Sequence, residues 1–562
     1  MDSLYTVPSF CLISLTLYVN MFRPIFRAIS EKLNYRPIRQ CLPLVHKKLN
    51  STSCESHPDK VFITTPIFYV NDVPHIGHLY TAVIGDALAR WNRIKGKNVL
   101  YSTGTDEHGL KIQQAASKRD LQPIKLCDEH SNSFKSVFNM ADIAFDDFIR
   151  TTDKRHAQVV AEFWTKLQDN GYIYKGSYEG WYCVSDEAFL TDNDVCDSVD
   201  SKTGEQVKVS KESGHRVEWM TEENYMFRLS KMGDELIKWL DTNPIHPPNF
   251  RPMVRRWVDD GLEDLSVSRL RERLSWGLPV PNDPSHTVYV WLDALVNYLT
   301  VAKEDFWPAD CHIVGKDILR FHAIYWPAFL LAANLPPPKS ILCHSHWMKD
   351  HQKMSKSLKN VIDPIKEIQT FSTDGVRYFL LKEGVAHSDG SYSSKKVKEY
   401  INADLVNTLG NLMNRCIAPS LNPDQIFPPF NQALFEKRTQ PDFQDILDNL
   451  KDLPDKVDNY YSNYEFYKGL DCIFEQLRQT NGYMQAHEPW TLKGVEAEKE
   501  WLNSILHVSL STLHVTSRLL EPVIPNLAQK IQRRLGSQGC INIHSYSGEL
   551  GENEGVLIQR IK

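Results

Sequence analysis

At 562 residues, with 42% hydrophobic and 24% charged residues, the chain is long enough for three or four cored domains and has a composition ordinary for soluble protein. The formal net charge of −6 excludes a globally basic nucleic-acid binder. An RNA partner would have to meet local patches such as Arg251/Arg255/Arg256, Arg269/Arg271/Arg273 or Lys530/Arg533/Arg534, each of which fits a solvated face equally well. Eleven cysteines with no Cys-x-x-Cys pair exclude a disulfide framework and point to a reducing compartment.

Residues 1–58 differ from the rest. Between residues 21 and 53, Arg23, Arg27, Lys32, Arg36, Arg39, Lys47 and Lys48 stand against one acid, Glu31, which predicts a mitochondrial presequence and a product in the matrix. The apolar run 10–19 is shorter than the about 20 residues a membrane span needs. It reads as an extension from an upstream start codon, with a signal-peptide core or a short anchor as the other readings. No other stretch reads as transmembrane, so no membrane association is expected.

From residue 60 strands alternate with helices. A β-branched run from residue 61 reads as a buried strand that breaks at Pro66. After a loop comes His75-Ile76-Gly77-His78. Leu79, Val83, Ala87, Trp91 and Ile94 then recur at helical spacing, with Gly96 placed as a left-handed C-cap. Two imidazoles therefore stand at a helix start, where backbone N–H groups and the positive dipole end suit a phosphate and Gly77 lets the backbone approach. A metal-binding histidine pair is the alternative.

Residues 98–103 form a second predicted strand, followed by Gly104-Thr105-Asp106-Glu107-His108-Gly109. Residues 311–314 form a third, followed by Gly315-Lys316-Asp317. Residues 340–345 form a fourth, followed by Lys353-Met354-Ser355-Lys356-Ser357. The last motif is a solvated lysine loop or a clamp for a mobile polyphosphate. Every motif falls just past the carboxyl end of a strand, where a doubly wound parallel sheet binds ligands. The predicted fold class is thus α/β, a Rossmann-type catalytic domain carrying an aromatic and charged insertion and followed by an all-α bundle from about residue 400.

The pair His75-Ile76-Gly77-His78 and Lys353-Met354-Ser355-Lys356-Ser357 resembles the two signatures of class I aminoacyl-tRNA synthetases. Within that class, Thr64-Thr65-Pro66-Ile67-Phe68-Tyr69, Gly104-Thr105-Asp106-Glu107-His108-Gly109 and Tyr289-Val290-Trp291-Leu292-Asp293-Ala294 are similar to methionyl-tRNA synthetases of bacterial and mitochondrial type. The resemblance runs from about residue 61 close to the end, with the motifs in the expected order. It implies a methionine–tRNA ligase that makes methionyl-adenylate from ATP, with Mg²⁺ carried mainly by the phosphates, and passes the aminoacyl group to tRNA(Met).

The resemblance also implies a layout and a site. The layout is a presequence or extension at 1–58, catalytic halves at 59–169 and 287–366, a connective insertion at 170–286, a stem-contact region at 367–399 and a helical anticodon-binding domain at 400–562. A C-terminal dimerising module is not expected, so a monomer is. For the nucleotide, His75, His78, Lys353 and Lys356 would act on the phosphates, with Gly77, Gly315, Asp317 and Ser355 completing the ATP site. Asp106 would pair with the L-methionine ammonium, and Ile67, Tyr69, Trp291, Ala294, Leu295, Tyr298, Ile318 and His322 would enclose the thioether, for which polarizable walls are suited. Asn411, Arg415 and Trp490 would read the anticodon. Without the resemblance, Trp291 and Leu295 read as plain core, Arg415 as a surface charge and Trp490 as a core anchor.

The insertion holds only Cys183 and Cys196, too few for a tetrahedral site, so no structural zinc and no protein-bound metal are expected. Two other readings share part of the pattern. A small-molecule adenylyltransferase also uses His-x-Gly-His, but is shorter and lacks the helical C-terminal half. A non-catalytic RNA-binding relative of a synthetase would not need both histidines and both loop lysines.

Overall fold

The computed structural model describes residues 59–183, 188–190, 192–200, 204–211, 213–303, 305–349, 352–354, 360–536 and 548–562. The expected presequence, the run 10–19, and Ser355, Lys356 and Ser357 lie outside them.

Six parallel strands form the central sheet: β1 (Lys60–Tyr69), β2 (Asn98–Asp106), β3 (Asp147–Arg150), β4 (Ile245–His246), β5 (Cys311–Gly315) and β6 (Ile341–His344), in the spatial order β3-β2-β1-β5-β6-β4. Ile63 of β1 pairs with Tyr101 on one side and Cys311 on the other. Val61, Phe62 and Ile63 are all buried, as expected of a strand covered on both faces. The two halves of the sheet meet between β1 and β5, and at this reversal the crevice opens beyond the carboxyl ends.

The first strand does not break at Pro66. It continues to Tyr69 through a one-residue bulge, in which the register moves from Thr64 opposite Ser102 to Ile67 opposite Gly104. A proline has no N–H for the ladder, and a bulge absorbs it without ending the strand. The helix α1 (Ile76–Ile94) follows, and Gly96 takes the left-handed conformation with φ of 79°.

The span 170–286 is not one lobe. Ile173–Cys183 and Glu218–Phe227 form the long antiparallel ribbon of a four-stranded sheet, Val195–Val199 and Gln206–Ser210 form a separate hairpin, and Ser268–Leu270, Asp283–Val288 and Pro279–Val280 form a third sheet. Between them the chain returns to place β4 at the edge of the main sheet beside Ile341. A short helix, α2 (Val290–Leu295), then leads back into the catalytic half.

Beyond the sheet the chain is mainly helical: α3 (Thr373–Glu383), α4 (Asn411–Ile417), α5 (Ile446–Ser462), α6 (Phe466–His487), α7 (Lys499–Leu520) and α8 (Pro525–Arg534). Ser372 caps α3 by accepting the Gly375 N–H. One apolar core runs from Leu79 and Val83 of α1 through Phe379 and Leu380 of α3 to Leu477 of α6 and Leu513 of α7.

A polar brace crosses this core. Arg377 of α3, with no exposed surface, donates to the carbonyls of Val523 and Pro522 in the turn between α7 and α8 and to that of Ala141, and pairs with Asp86 of α1 at 2.6 Å. Asp86 also accepts from Arg90 Nε–H and from the Ala144 N–H. Those cations and that N–H outweigh burial and hold the Asp86 carboxyl below its ordinary range. Further along α1, Trp91 Nε1–H donates to Asp458 of α5 at 2.9 Å. The helix that begins at His75 is thus tied twice to the helical bundle.

The basic patches are largely engaged. Arg255 pairs with Asp241 and Asp259, Arg533 pairs with Glu554, and Arg534 is buried with donations to Gly551 and Gln425. Arg269 is no surface cation: it is 5% exposed and packs over the Tyr289 ring at 4.4 Å. Among the described residues no helix is long and apolar enough to cross a membrane.

Candidate active site

The bulge at Pro66 turns the end of β1 toward the N-terminus of α1, and there the two histidines cap the helix. His75 Nδ1 accepts the Gly77 N–H at 3.1 Å, while His78 Nδ1 accepts the His75 N–H at 3.2 Å. Both caps satisfy donors that a helix start otherwise leaves unpaired. Because a backbone N–H only donates, each Nδ1 must carry its lone pair, which puts the proton of each neutral ring on Nε2. The rings stack with centroids 3.7 Å apart. A Cβ on Gly77 would lie 3.0 Å from the His75 ring, so this glycine makes room for the histidine as well as for a ligand.

The crevice in front of them is a cavity of about 410 Å³. It is lined by His75, Gly77 and His78, by Gly315 at the end of β5 and Asp317 just beyond it, and by Asp106 at the end of β2. Ile67, Tyr69, Trp291, Ala294, Leu295, Tyr298, Ile318 and His322 line it too. All nine residues expected to hold the amino acid, and five of the eight expected to hold the nucleotide, therefore share one space. The lysine loop arrives at the same place: Lys353 lies in a two-residue strand paired with Met348, and its neighbour Met354 lines the cavity. The Lys353 side chain, Ser355 and Lys356 are outside what the structure describes.

The inner wall is a stack of neutral groups. His322 Nδ1–H donates to the Ile318 carbonyl at 2.9 Å, which leaves Nε2 to accept the Tyr298 hydroxyl at 2.7 Å. Burial holds His322 down at about 4, so this ring is uncharged near neutral pH. Beneath Tyr298, His312 stacks at 4.1 Å, accepts from Trp326 Nε1–H and meets Thr64 Oγ1 at 2.7 Å. Burial pushes His312 well below its ordinary value as well. Trp291 is stacked on Phe321 at 3.5 Å and so presents one fixed ring face.

On the other rim, Gly315 carries no side chain where a Cβ would meet Asp317 Oδ1 at 2.7 Å. Asp317 lies 3.2 Å from His346 Nε2, and Lys316 turns away to pair with Asp389. His344 donates from Nδ1 to the Ser345 carbonyl and accepts from Thr81 Oγ1 at 2.8 Å. It too is held at about 4 by burial. Sequence reasoning passed over His312, His344, His346 and Lys111, all but His312 of which line the cavity. The signal available was position: His312 lies in β5, His344 ends β6 and Lys111 opens the helix after β2.

A second concavity, about 330 Å³ and polar, lies on the helical bundle. Asn411 and Arg415 of α4 face Arg478, Asn481 and Gln485 of α6 across it, with Asn407 and Thr408 at its edge. Trp490 is not part of it. That ring is 40% exposed on the short helix Pro489–Leu492 that follows α6. In the insertion, Cys183 is buried against Val195 and Val217 whereas Cys196 is exposed. Among the described residues no group of three or more His, Cys, Asp or Glu is placed to hold a metal ion.

Residues 61–417 match the family described as tRNA synthetases class I (M). The chain is 48% identical to a mitochondrial methionine–tRNA ligase of Xenopus laevis over 84% of its own length and 85% of that protein's. It is 43% identical to a methionine–tRNA ligase of Rickettsia felis, covering 84% and 92%. Among solved structures, the methionyl-tRNA synthetase of Mycobacterium tuberculosis in complex with methionyl-adenylate superposes with a TM-score of 0.83 at 35% identity, over 89% of this chain and 99% of that one.

Proposed function

Since the chain belongs to the methionyl-tRNA synthetases of class I, we propose how its own residues divide the work of that reaction. The chain is an aminoacyl-tRNA ligase: it activates methionine with ATP and charges tRNA, in the mitochondrion. In the first step the methionine carboxylate attacks the α-phosphorus of ATP, a C–O–P linkage forms and pyrophosphate leaves. In the second a terminal ribose hydroxyl of tRNA(Met) attacks the activated carbonyl and AMP leaves. Neither step needs a covalent enzyme nucleophile. Both need reactants held in line and developing negative charge met by donors.

His75 and His78 supply such donors. With Nδ1 committed to the helix cap, each neutral ring has its N–H on Nε2. Gly77 and Gly315 admit the nucleotide and Asp317 receives the ribose hydroxyls. Lys353 and Lys356 neutralise the departing pyrophosphate with Ser355 beside them in the ATP site, and Mg²⁺ would come as part of the ATP substrate rather than be held by a protein cage. Asp106 takes the ammonium. Ile67, Tyr69, Trp291, Ala294, Leu295, Tyr298, Ile318 and His322 enclose the thioether, with the neutral Tyr298–His322 pair offering no charge to a soft sulfur. Asn411 and Arg415 read unpaired anticodon bases in the polar groove, and Trp490 would contribute from outside it. The enzyme works in the matrix as a monomer.

The observation that carries this reading is the convergence of β1, β2, α1, α2 and β5 on one cavity that joins a phosphate-type helix start to an aromatic pocket closed by a carboxylate. ATP–pyrophosphate exchange measured with each standard amino acid in turn tests it. Exchange with methionine, and abolished by Lys356→Ala, is expected. Exchange that does not depend on methionine would refute the assignment of the pocket.

A further inference from the structure

Outside the lining of the cavity lies a buried chain of ionisable groups. Asp293, 1% exposed, accepts from His108 Nδ1–H at 2.6 Å on one carboxylate oxygen and from His156 Nε2–H at 2.8 Å on the other. His156 Nδ1 continues to Thr300 Oγ1 at 2.9 Å. A carboxylate only accepts, so both ring nitrogens that face it carry protons. Burial acts to raise the Asp293 carboxyl, yet the two histidines outweigh it and hold the group at about 2.

These residues come from three separate elements, two of which also supply residues to the cavity lining. His108 follows Asp106 by two residues at the end of β2. Asp293 lies within α2, between Trp291 and Ala294. His156 lies on the helix Lys154–Asp169, none of whose residues lines the cavity. The His108 loop is itself stiff: Trp276 Nε1–H donates to the Glu107 carbonyl at 2.5 Å, and Arg150 holds the Glu107 carboxylate with two bonds of 2.7 and 2.9 Å. The hydrogen bond between His108 and Asp293 is thus a crosslink between the loop bearing Asp106 and the helix bearing Trp291, Ala294 and Leu295.

We propose that Asp293 is a positioning residue for amino-acid selection, in that it clamps His108 and His156 and so sets the separation between the ammonium site at Asp106 and the thioether wall on α2. The inference rests on the assignment of the methionine site above. Its physical basis is length. Methionine and homocysteine hold the sulfur equally far from the ammonium and differ only in the terminal S-methyl, so they are told apart by whether the far wall lies where that methyl ends, and apolar shape discriminates one such carbon by only about 10–200-fold. Discrimination of that size needs walls that do not drift, and charge-assisted bonds at 2.6 and 2.8 Å in a dry site supply the stiffness.

Asp293→Asn keeps the shape but replaces a double acceptor by one acceptor and one donor, so one histidine must reverse its ring proton. The expected result is a methionine KM raised about tenfold, with kcat at saturating methionine and the ATP KM within about twofold, and a methionine-to-homocysteine preference narrowed about fivefold. Thr300→Val, which cuts only the far end of the chain, should narrow the same preference about twofold. Unchanged selectivity in Asp293→Asn overturns the inference. So does a parallel loss for ATP and methionine that tracks a lowered Tm, because that is the mark of a merely structural carboxylate. If Asp293→Asn does not fold, Thr300→Val decides, and unchanged selectivity there overturns it. Asp106→Asn run alongside separates the two levels. An unchanged methionine KM in that variant refutes the site itself, whereas a raised one with no effect of Asp293→Asn refutes only the clamp.

Discussion

The cavity at the sheet rim and the groove on the helical bundle are of similar size, about 410 and 330 Å³, yet they are built on opposite principles. The cavity is walled by stacked aromatic rings and by histidines that burial keeps uncharged, and its carboxylates stand at its edges. The groove is lined mainly by amide and guanidinium groups, with no aromatic ring among its lining residues. A space that must hold a small flexible thioether gains from dry, rigid, polarizable walls. A groove lined by amides and a guanidinium, if it reads unpaired bases as proposed, offers donors and acceptors that remain hydrated until the RNA arrives. Chemistry of lining, more than volume, tells the two concavities apart.

The difference can be broken from the frame that joins the two regions. Arg377→Met removes one of the two cations that compensate buried Asp86, leaving it with Arg90 alone, and cuts the donations to the turn between α7 and α8. A loss of about 3–5 kcal/mol in urea unfolding is expected, the largest effect among the changes considered. Next in size, Asp106→Asn should cost about 3 kcal/mol in methionine binding, a KM raised about a hundredfold in pyrophosphate exchange with the ATP KM little changed. Arg415→Ala should leave methionine-dependent exchange untouched and lower kcat/KM for tRNA charging about tenfold. If exchange fell along with charging, the groove and the cavity would not be separable sites.

The smallest effect near neutral pH comes from the buried histidines. His322 and His344 are held at about 4 in the folded protein, below the ordinary value of a free histidine. The unfolded chain therefore binds more protons than the folded one in the window between, so stability rises with pH there and is lost on acidification from about 6.5 toward 4. Thermal melts across that window should show the slope, and His322→Gln should flatten it.

Much of the site was legible because its motifs are local. Strand-end loops and a helix start are encoded within a few residues, so His75, Gly77, His78, Asp106 and Asp317 could be found one motif at a time, and the parallel order of the sheet required them to meet. The bulge at Pro66 was not legible, because whether a proline ends a strand or is absorbed depends on the partner strand, here Ser102 to Gly104 of β2. Nor was the true path of the insertion: Ile245–His246 is too short to announce itself as a strand and is made one only by the neighbouring edge of β6. Arg269 read as part of a basic surface because charge in a sequence carries no depth.

The sequence by itself determined the chemistry available to this protein and the order of its elements, since periodicity, turn residues and motif spacing act over one or two turns of chain. Only the tertiary structure decided which groups are charged, which face one another and which are braced. His322 is neutral, Asp293 is ionised between two histidines and Arg377 is shared among α1, α3 and the bundle because of dehydration and long-range partners. The partners of Asp293 and Arg377 lie more than a hundred positions away in the sequence, and the dehydration of His322 comes into being only when the chain has closed around it.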